Sequence, residues 1–360
     1  MYIEKNTEYN LINYLKKNKN KKVYILTGKN SYNLSGARLF FKKYLQNKKV
    51  NFFFKLKSYP VIEELKKIII DLKKNKPEII FAVGGGSVMD YAKIANCLFN
   101  AENLKKDIIN SAKKFKKLST LVAIPTSAGS GAEVTSNAVI YINKLKYSVE
   151  GKEIKPDKFF LIPKLIVKNK KNLKIPAGFD AISQSVESIL SKKSNSNSLM
   201  YAKKSLILSL ENYIPFINKP NYENSSKMLI ASNLSGKAIS ISKTTAPHAV
   251  SYPLTAYFKI PHGNAVSITL DDFLLFNYLN LNKSNVNFDL KKRYEVLFRL
   301  TKTKNIYQLV KFIKDLQSKK THEMLSELIK KDLSNSYVGL EVICDRKGFW
   351  LKPHCDIKEK

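Results

Sequence analysis

His248 and His262 stand fourteen residues apart in a 360-residue chain that has only four histidines. Two neutral imidazoles held close together, with a carboxylate from another segment, are what a divalent transition metal requires. Immediately before His248, the run Lys243-Thr244-Thr245 brings a cation and two hydroxyls, a set suited to an anionic group on a substrate. Further upstream lies Gly84-Gly85-Gly86-Ser87, directly after the apolar run Pro77 to Val83. Glycines between a strand and a helix let the backbone approach a diphosphate, and the helix N-terminus adds free N–H groups and a positive dipole end. This run is not the G-x-G-x-x-G fingerprint, and by itself it also fits a tight structural turn. A second small-residue loop, Pro125 to Glu133, offers Thr126, Ser127 and Ser130 beside glycines and makes a second phosphate or ribose cradle.

The elements that must position these groups are readable in the first half. Lys21 to Thr27, Val50 to Leu56, Pro77 to Val83 and Leu121 to Ile124 read as buried strands. Ala37 to Gln46, Val61 to Lys74 and the stretch from the glycines to Asn96 read as the helices between them. Strand and helix in turn predict a parallel sheet with helices on both faces. After about Pro163 the strand signal fades, and Asp180 to Ser191, Leu199 to Ile217, Ser226 to Ile241 and Ile306 to Leu316 follow helical periodicity. The expected organisation is an α/β domain over 1–163 and an all-helical domain over 164–360, joined compactly.

Composition narrows the function classes. A 44% hydrophobic fraction is ample for packed cores and excludes wholesale disorder. The net charge of +34 points toward nucleic acid, but only Arg38, Arg293, Arg299 and Arg346 are arginines, so 59 of the 63 basic residues are lysine. Arginine is the preferred residue for bidentate phosphate and base contacts. Lysines spread along the whole chain with abundant Asn and Ile read as coding bias and a solvated surface, not a nucleic-acid face. Cys97, Cys344 and Cys355 have no paired spacing, which points to a reducing compartment. Neither a signal segment nor a membrane-length apolar run is legible, so the expected setting is cytoplasmic, without membrane contact.

Gly84-Gly85-Gly86-Ser87 with Asp90, the Pro125 to Glu133 loop, Asp180-Ala181-Ile182 and the two histidines occur in an order that resembles the iron-containing (group III) alcohol dehydrogenases. The resemblance runs from about residue 20 to 280. It implies a Rossmann-like dinucleotide domain, a helical metal-binding domain and a metal in the cleft between them. It also implies metal ligands at Asp180, His248 and His262. Where relatives place a histidine four residues after the Asp on the same helix, this chain has Gln184, expected as the fourth ligand through a neutral and weaker donor on the same face as Asp180. Asp180, soon after Gly178, also fits a helix cap. Fe2+ is the expected ion, with Zn2+ as the alternative.

On the cofactor side, the resemblance implies a diphosphate at Gly85, Gly86 and Ser87, with Asp90, Thr126, Ser127, Ser130 and Lys146 nearby. Gly28 stands where NAD-preferring relatives carry an Asp that accepts from the ribose 2′-OH. Its lack of charge, beside Lys29, predicts that NADPH is accepted. Tyr252 replaces a histidine that helps deliver the proton, and with a reference pKa near 10 it is a poor shuttle. Thr27-Gly28-Lys29, Ser35-Gly36-Ala37, Gly236 to Ile239 and Lys243 to Leu254 further resemble the phosphonoacetaldehyde reductases of that family, which implies a phosphonate contact at Lys243.

The expected activity is reduction of an aldehyde to a primary alcohol by NAD(P)H. Alternatives are a general short-chain aldehyde reductase, a dehydroquinate-synthase-like lyase on the same architecture, and a non-catalytic basic binding protein. A small-molecule aldehyde or phosphonate is the expected partner, and a homodimer is left open. His322 and His354 read as surface residues in a tail that does not follow the family ending.

Overall fold

The computed structural model describes residues 7–45, 50–110 and 115–317, together with the backbone of 339–345 and 348–354. Helix α1 (Glu8–Lys17) leads into an alternating series: β1 (Val23–Gly28), α2 (Lys29–Leu34), α3 (Ala37–Tyr44), β2 (Val50–Lys55), α4 (Ile62–Asn75), β3 (Ile79–Gly84), α5 (Gly86–Cys97), α6 (Leu104–Asn110) and β4 (Thr120–Pro125). A hairpin of β5 (Asn137–Ile142) and β6 (Leu145–Glu150) follows, then the two-residue strand β7 (Lys158–Phe159). The main sheet runs β2-β1-β3-β4-β7, and every pairing in it is parallel. Side chains alternate across it. Tyr24, Leu26, Ile80, Ala82 and Leu121 enter one core with α4 and α5. Val23, Ile25, Phe81, Val83 and Val122 enter the other with α1 and α3. Because both faces are covered, β1 and β3 are buried at every position, which is why they read as unbroken apolar runs.

The second half is built from α7 (Lys164–Val167), α8 (Lys171–Leu190), α9 (Ser196–Asn218), α10 (Tyr222–Ser242), α11 (Ala246–Phe258), α12 (His262–Leu279), α13 (Leu290–Thr301) and α14 (Ile306–Leu316). Capping boxes at Asn195 and Asn221 start α9 and α10. Ile182, Val186, Leu206, Phe216, Leu270 and Leu297 form their shared core. The expectation of helices alone needs correction at the end, where β8 (Gly339–Asp345) and β9 (Gly348–His354) pair as an antiparallel hairpin. His322 and the side chains of His354, Cys344 and Cys355 lie outside the described residues. Cys97 is buried and free, and burial pushes its thiol up to about 12. Among the described residues no helix is long and apolar enough to cross a membrane.

Glycine sets close approaches both between the two halves and within the helical one. Gly131 has φ +56°, and a Cβ there would lie 2.4 Å from the Ser232 carbonyl oxygen and 2.6 Å from Gly236 Cα. The loop after β4 is therefore keyed against α10, and its Gly131 N–H donates to Ser232 Oγ at 3.1 Å. A Cβ on Gly263 would fall 1.8 Å from the Pro176 carbonyl oxygen, so α12 rests directly on the backbone of α8. That contact places His262, the first residue of α12, beside Asp180 of α8. Since the obstacle is backbone and cannot swing aside, Gly263→Ala is expected to cost about 3 kcal/mol. The measurement is the urea unfolding midpoint, and an unchanged midpoint would contradict this packing.

Candidate metal and nucleotide site

The nucleotide side is made by two loops that meet at the C-terminal ends of β3 and β4. Gly85 is the N-cap of α5, and the first turn of that helix carries no acidic residue. No carboxylate therefore opposes an anion at that turn, where the helix N–H groups and dipole favour negative charge. A Cβ on Gly85 would meet Ser127 Oγ at 3.1 Å, and one on Gly86 would meet Ser130 Oγ at 3.0 Å. The two cradles read separately in the sequence are thus one surface. Thr126 is buried there, its N–H donating to the Gly84 carbonyl at 3.0 Å and its carbonyl accepting from Asn169 at 2.7 Å. Ser87 is half-buried in the first turn of α5. Gly28 ends β1 with an ordinary φ of −97°, so its value is the absent side chain, not an unusual backbone. Lys29 beside it is exposed.

Behind the glycine turn, α5 carries Asp90 and Lys93. Lys93 is fully buried and donates to Thr135 Oγ1 at 2.8 Å and to the Asn137 carbonyl at 3.0 Å. Burial lowers its ammonium to about 8 against the opposing pull of Asp90 and Glu133. Burial likewise lifts Asp90 to about 6, with Lys93 and Lys146 opposing. Lys146, on β6, is lowered by burial to about 7 and is held up by Asp90 and Asp180. It therefore stands electrostatically between the nucleotide loop and the metal side.

The metal side is supplied by three helices. Asp180, expected either to cap a helix or to bind metal, lies in the interior of α8, which begins nine residues earlier at Lys171. His248 enters in the first turn of α11, and His262 opens α12. One ligand atom from each of Asp180, His248 and His262 lies within 4.8 Å of the others. His248 Nε2 is 3.2 Å from Asp180 Oδ1, and the two imidazole rings meet edge-on at 5.3 Å. His262 Nδ1 lies 3.3 Å from Ser251 Oγ, which leaves Nε2 for a ligand role. Two imidazoles and one carboxylate, closely grouped, with Asp180 and His248 buried and His262 half-buried, fit Fe2+ and also suit Zn2+.

Glu187 is the residue sequence reading missed. It sits seven positions after Asp180, hence on the same face of α8, and is almost fully buried. Its Oε1 takes His248 Nδ1 at 2.5 Å, and its Oε2 accepts from Thr245 Oγ1 at 2.9 Å and from the Thr245 N–H. Spacing alone, Asp-x3-Gln-x2-Glu on one helix face, was the available signal. Burial alone would push His248 down, but Glu187 and Asp180 outweigh it and hold the ring up at about 9. For His262, burial and the nearby cations Lys146 and His248 lower the ring to about 3, against the pull of Asp180. Asp180 is held below the usual carboxylate range, since its histidine and Gln184 partners outweigh burial.

Three expected site residues have internal partners here. Gln184 hydrogen-bonds Asp180, while its amide oxygen accepts from Ser235 Oγ at 2.8 Å. It steadies Asp180 in this arrangement, its oxygen held by Ser235. Lys243 closes α10 with φ +60° and pairs with Glu150 at 2.7 Å. Thr244 bonds Tyr252, and Thr245 is engaged with Glu187, so each member of the Lys-Thr-Thr run already has an internal partner. The phenol of Tyr252 is pushed above its ordinary range by burial and then by Glu187. Its ring stacks at 6.5 Å on His262 and lies under Lys146.

The raised His248 gives a signed expectation. Without metal the ring is protonated at pH 7, and its carboxylate contacts stabilise the fold below its unfolded pKa and fade as pH rises through about 9. A metal requires the neutral ring, so Zn2+ uptake at pH 7 should release about one proton and tighten as pH rises. Glu187→Gln should reduce that release and weaken binding about 10- to 100-fold. Calorimetry in two buffers of different ionisation enthalpy measures both, and unchanged values in the variant would contradict the assignment.

Comparison with known proteins converges on one family. Residues 1–163 match the family described as iron-containing alcohol dehydrogenase, and residues 174–332 match the C-terminal part of the Fe-containing alcohol dehydrogenase family. The 4-hydroxybutyrate dehydrogenase of Clostridium kluyveri is 28% identical over 280 residues, covering 76% of this chain and 70% of the relative. The phosphonoacetaldehyde reductase of Streptomyces viridochromogenes is 28% identical over 218 residues, covering 58% of this chain and 55% of the relative. Among solved structures, sulfoacetaldehyde reductase from Bifidobacterium kashiwanohense in complex with NAD+ superposes with a TM-score of 0.74 at 26% identity, over 85% of this chain and 80% of its own. An iron-containing alcohol dehydrogenase from Thermotoga maritima gives 0.72 at 26% identity, over 91% and 88%. With nearly the whole described length matched, this chain belongs to the iron-containing alcohol dehydrogenase family.

Proposed function

We propose that the protein reduces a short aldehyde carrying an anionic group, phosphonoacetaldehyde in first place, to the primary alcohol with NAD(P)H. The observation that carries the reading is the grouping of Asp180, His248 and His262 within 4.8 Å, across from a helix N-terminus lined by Gly85 and Gly86. When bound there, a divalent ion supplies Lewis-acid polarisation of the aldehyde oxygen and a nicotinamide supplies hydride. The chain's own residues do the positioning. Gly85, Gly86 and Ser87 receive the diphosphate, with Thr126, Ser127 and Ser130 as the facing wall. Glu187 fixes the ring of His248, and Gln184 and Ser251 steady Asp180 and His262. Gly28 and Lys29 leave room and positive charge for a 2′-phosphate, so NADPH is accepted.

The substrate class draws on chemistry shared by the relatives. Hydroxybutyrate, phosphonoacetaldehyde and sulfoacetaldehyde, for which three of them are named, each carry an anionic group. In this chain Lys243 is the cation at the matching segment, and a phosphonate would replace Glu150 as its partner. The 1-propanol dehydrogenases of Citrobacter freundii and Salmonella typhimurium, 28% identical over 233 residues each, favour the alternative of an uncharged short-chain aldehyde.

NADPH oxidation with phosphonoacetaldehyde, acetaldehyde and butyraldehyde, with Fe2+, with Zn2+ and after chelation, separates these readings. Activity should require metal and favour phosphonoacetaldehyde. Lys243→Ala should lower kcat/KM for that substrate about tenfold while leaving butyraldehyde within about twofold. Equal rates for all three aldehydes, unaffected by the substitution, would establish the uncharged class instead.

A further inference from the structure

We propose that Lys146 donates the proton that completes aldehyde reduction, with Tyr252 serving as its bed and not as the acid. This rests on the reductase reading above. The family pattern leaves a gap at Tyr252, where a histidine was expected to help deliver the proton, and the structure shows what fills the space. Lys146 reaches across from the β5–β6 hairpin of the sheet domain, and its Nζ lies 3.2 Å from the centroid of the Tyr252 ring. That ring is stacked on His262 of the metal side at 6.5 Å with an interplanar angle of 26°. The ammonium is thereby delivered to the cleft next to the place where the aldehyde oxygen must sit.

Two nearby ammonium groups differ from Lys146 in being engaged elsewhere. Lys93 is held by Thr135 and Asn137, and Lys243 is held by Glu150. The Lys146 ammonium has no hydrogen-bond partner among the described residues. An aromatic face stabilises a cation through its charge, and an ammonium carries three N–H donors, so the ring contact does not use up its capacity to donate. The charged and titratable groups facing it come from four helices: Asp90 of α5, Asp180 of α8, Tyr252 of α11 and His262 of α12. Burial has brought the ammonium down to about 7 against the two carboxylates, which is where a general acid works best at neutral pH. Tyr252 is moved the opposite way by the same burial.

The step balances with the groups already named. Hydride, with its electron pair, forms a C–H bond at the carbonyl carbon as NAD(P)H becomes NAD(P)+. The carbonyl π pair becomes a lone pair on oxygen. That oxygen takes a proton from Lys146 as one N–H bond breaks, leaving a neutral amine. Solvent returns the proton to the amine, with Asp90 as the neighbouring acid.

The test compares wild type with Lys146→Ala and Lys146→Arg, after wild-type NADPH oxidation has been established with an aldehyde. For wild type, kcat should fall as pH rises through about 7, since the acid must be protonated. Lys146→Ala should lose about a hundredfold in kcat and lose that pH limb. Added methylamine should restore rate to Lys146→Ala. Lys146→Arg, with its charge kept but its proton tightly held, should stay slow and should not respond to the amine. NADPH affinity, read by its fluorescence on binding, should change by no more than about twofold in both variants, which a simple cofactor contact would not allow. An unchanged pH profile in Lys146→Ala, no response to amine, or a loss confined to NADPH binding would each overturn the proposal. Wild type inert toward every aldehyde with every metal would be a different result, overturning the reductase reading and this inference with it.

Discussion

Asp180 and Glu187 stand two turns apart on α8, and the ring of His248 bridges them, Nε2 to one and Nδ1 to the other. Two carboxylates taken out of water cost several kcal/mol each unless opposite charge meets them. One imidazolium answers only one of them. The remaining negative charge is what a divalent ion neutralises, and its arrival displaces the proton from His248. The site is therefore electrostatically incomplete as a set of side chains and complete with a dication. Around this contact the geometry of α8, α11 and α12 has little freedom. Thr245 is tied to Glu187, and α12 lies on the backbone of α8 at Gly263.

The sheet domain brings the complementary features. Its parallel strands end in loops on one side, and the two loops with the smallest residues meet there at the start of α5. The same domain extends the β5–β6 hairpin, which carries Lys146 toward the metal side and Glu150 toward Lys243. Keying of the β4 loop against α10 through Gly131 and Gly236 keeps the two halves in register. The small-residue loops, the Asp180–His248–His262 group and Lys146 are thus carried by separate elements.

Much of this was legible before any coordinates. Strands β1, β3 and β4 were visible because burial demands continuous apolar residues, the half-exposed edge strand β2 by its phenylalanine run, and their order along the chain implied a parallel sheet. The β5–β6 hairpin was not foreseen. Its turn uses Asn143 and Lys144 with positive φ at both positions, where a glycine would have announced it. Helical periodicity was read from Asp180, which after Gly178 also fitted a cap, whereas α8 starts at Lys171. In the fold Pro176 lies inside the helix, and Gly178 makes room for Tyr213 and Met228. The metal residues were found through histidine scarcity and motif order, whereas Glu187 was passed over as one acidic residue on a helix. The internal partners of Lys243, Thr244 and Thr245 could not be read beforehand, since those of a short polar run are set by tertiary contacts that spacing does not encode.

The claim on which the rest depends is that Asp180, His248 and His262 together hold a metal ion. X-ray absorption at the iron edge of anaerobically Fe2+-loaded protein tests it directly. Scattering from two imidazole rings and from oxygen at about 2.0–2.2 Å is predicted, with one ring lost in His262→Ala. A coordination sphere of oxygen alone, unchanged in that variant, would contradict a metal site on this triad.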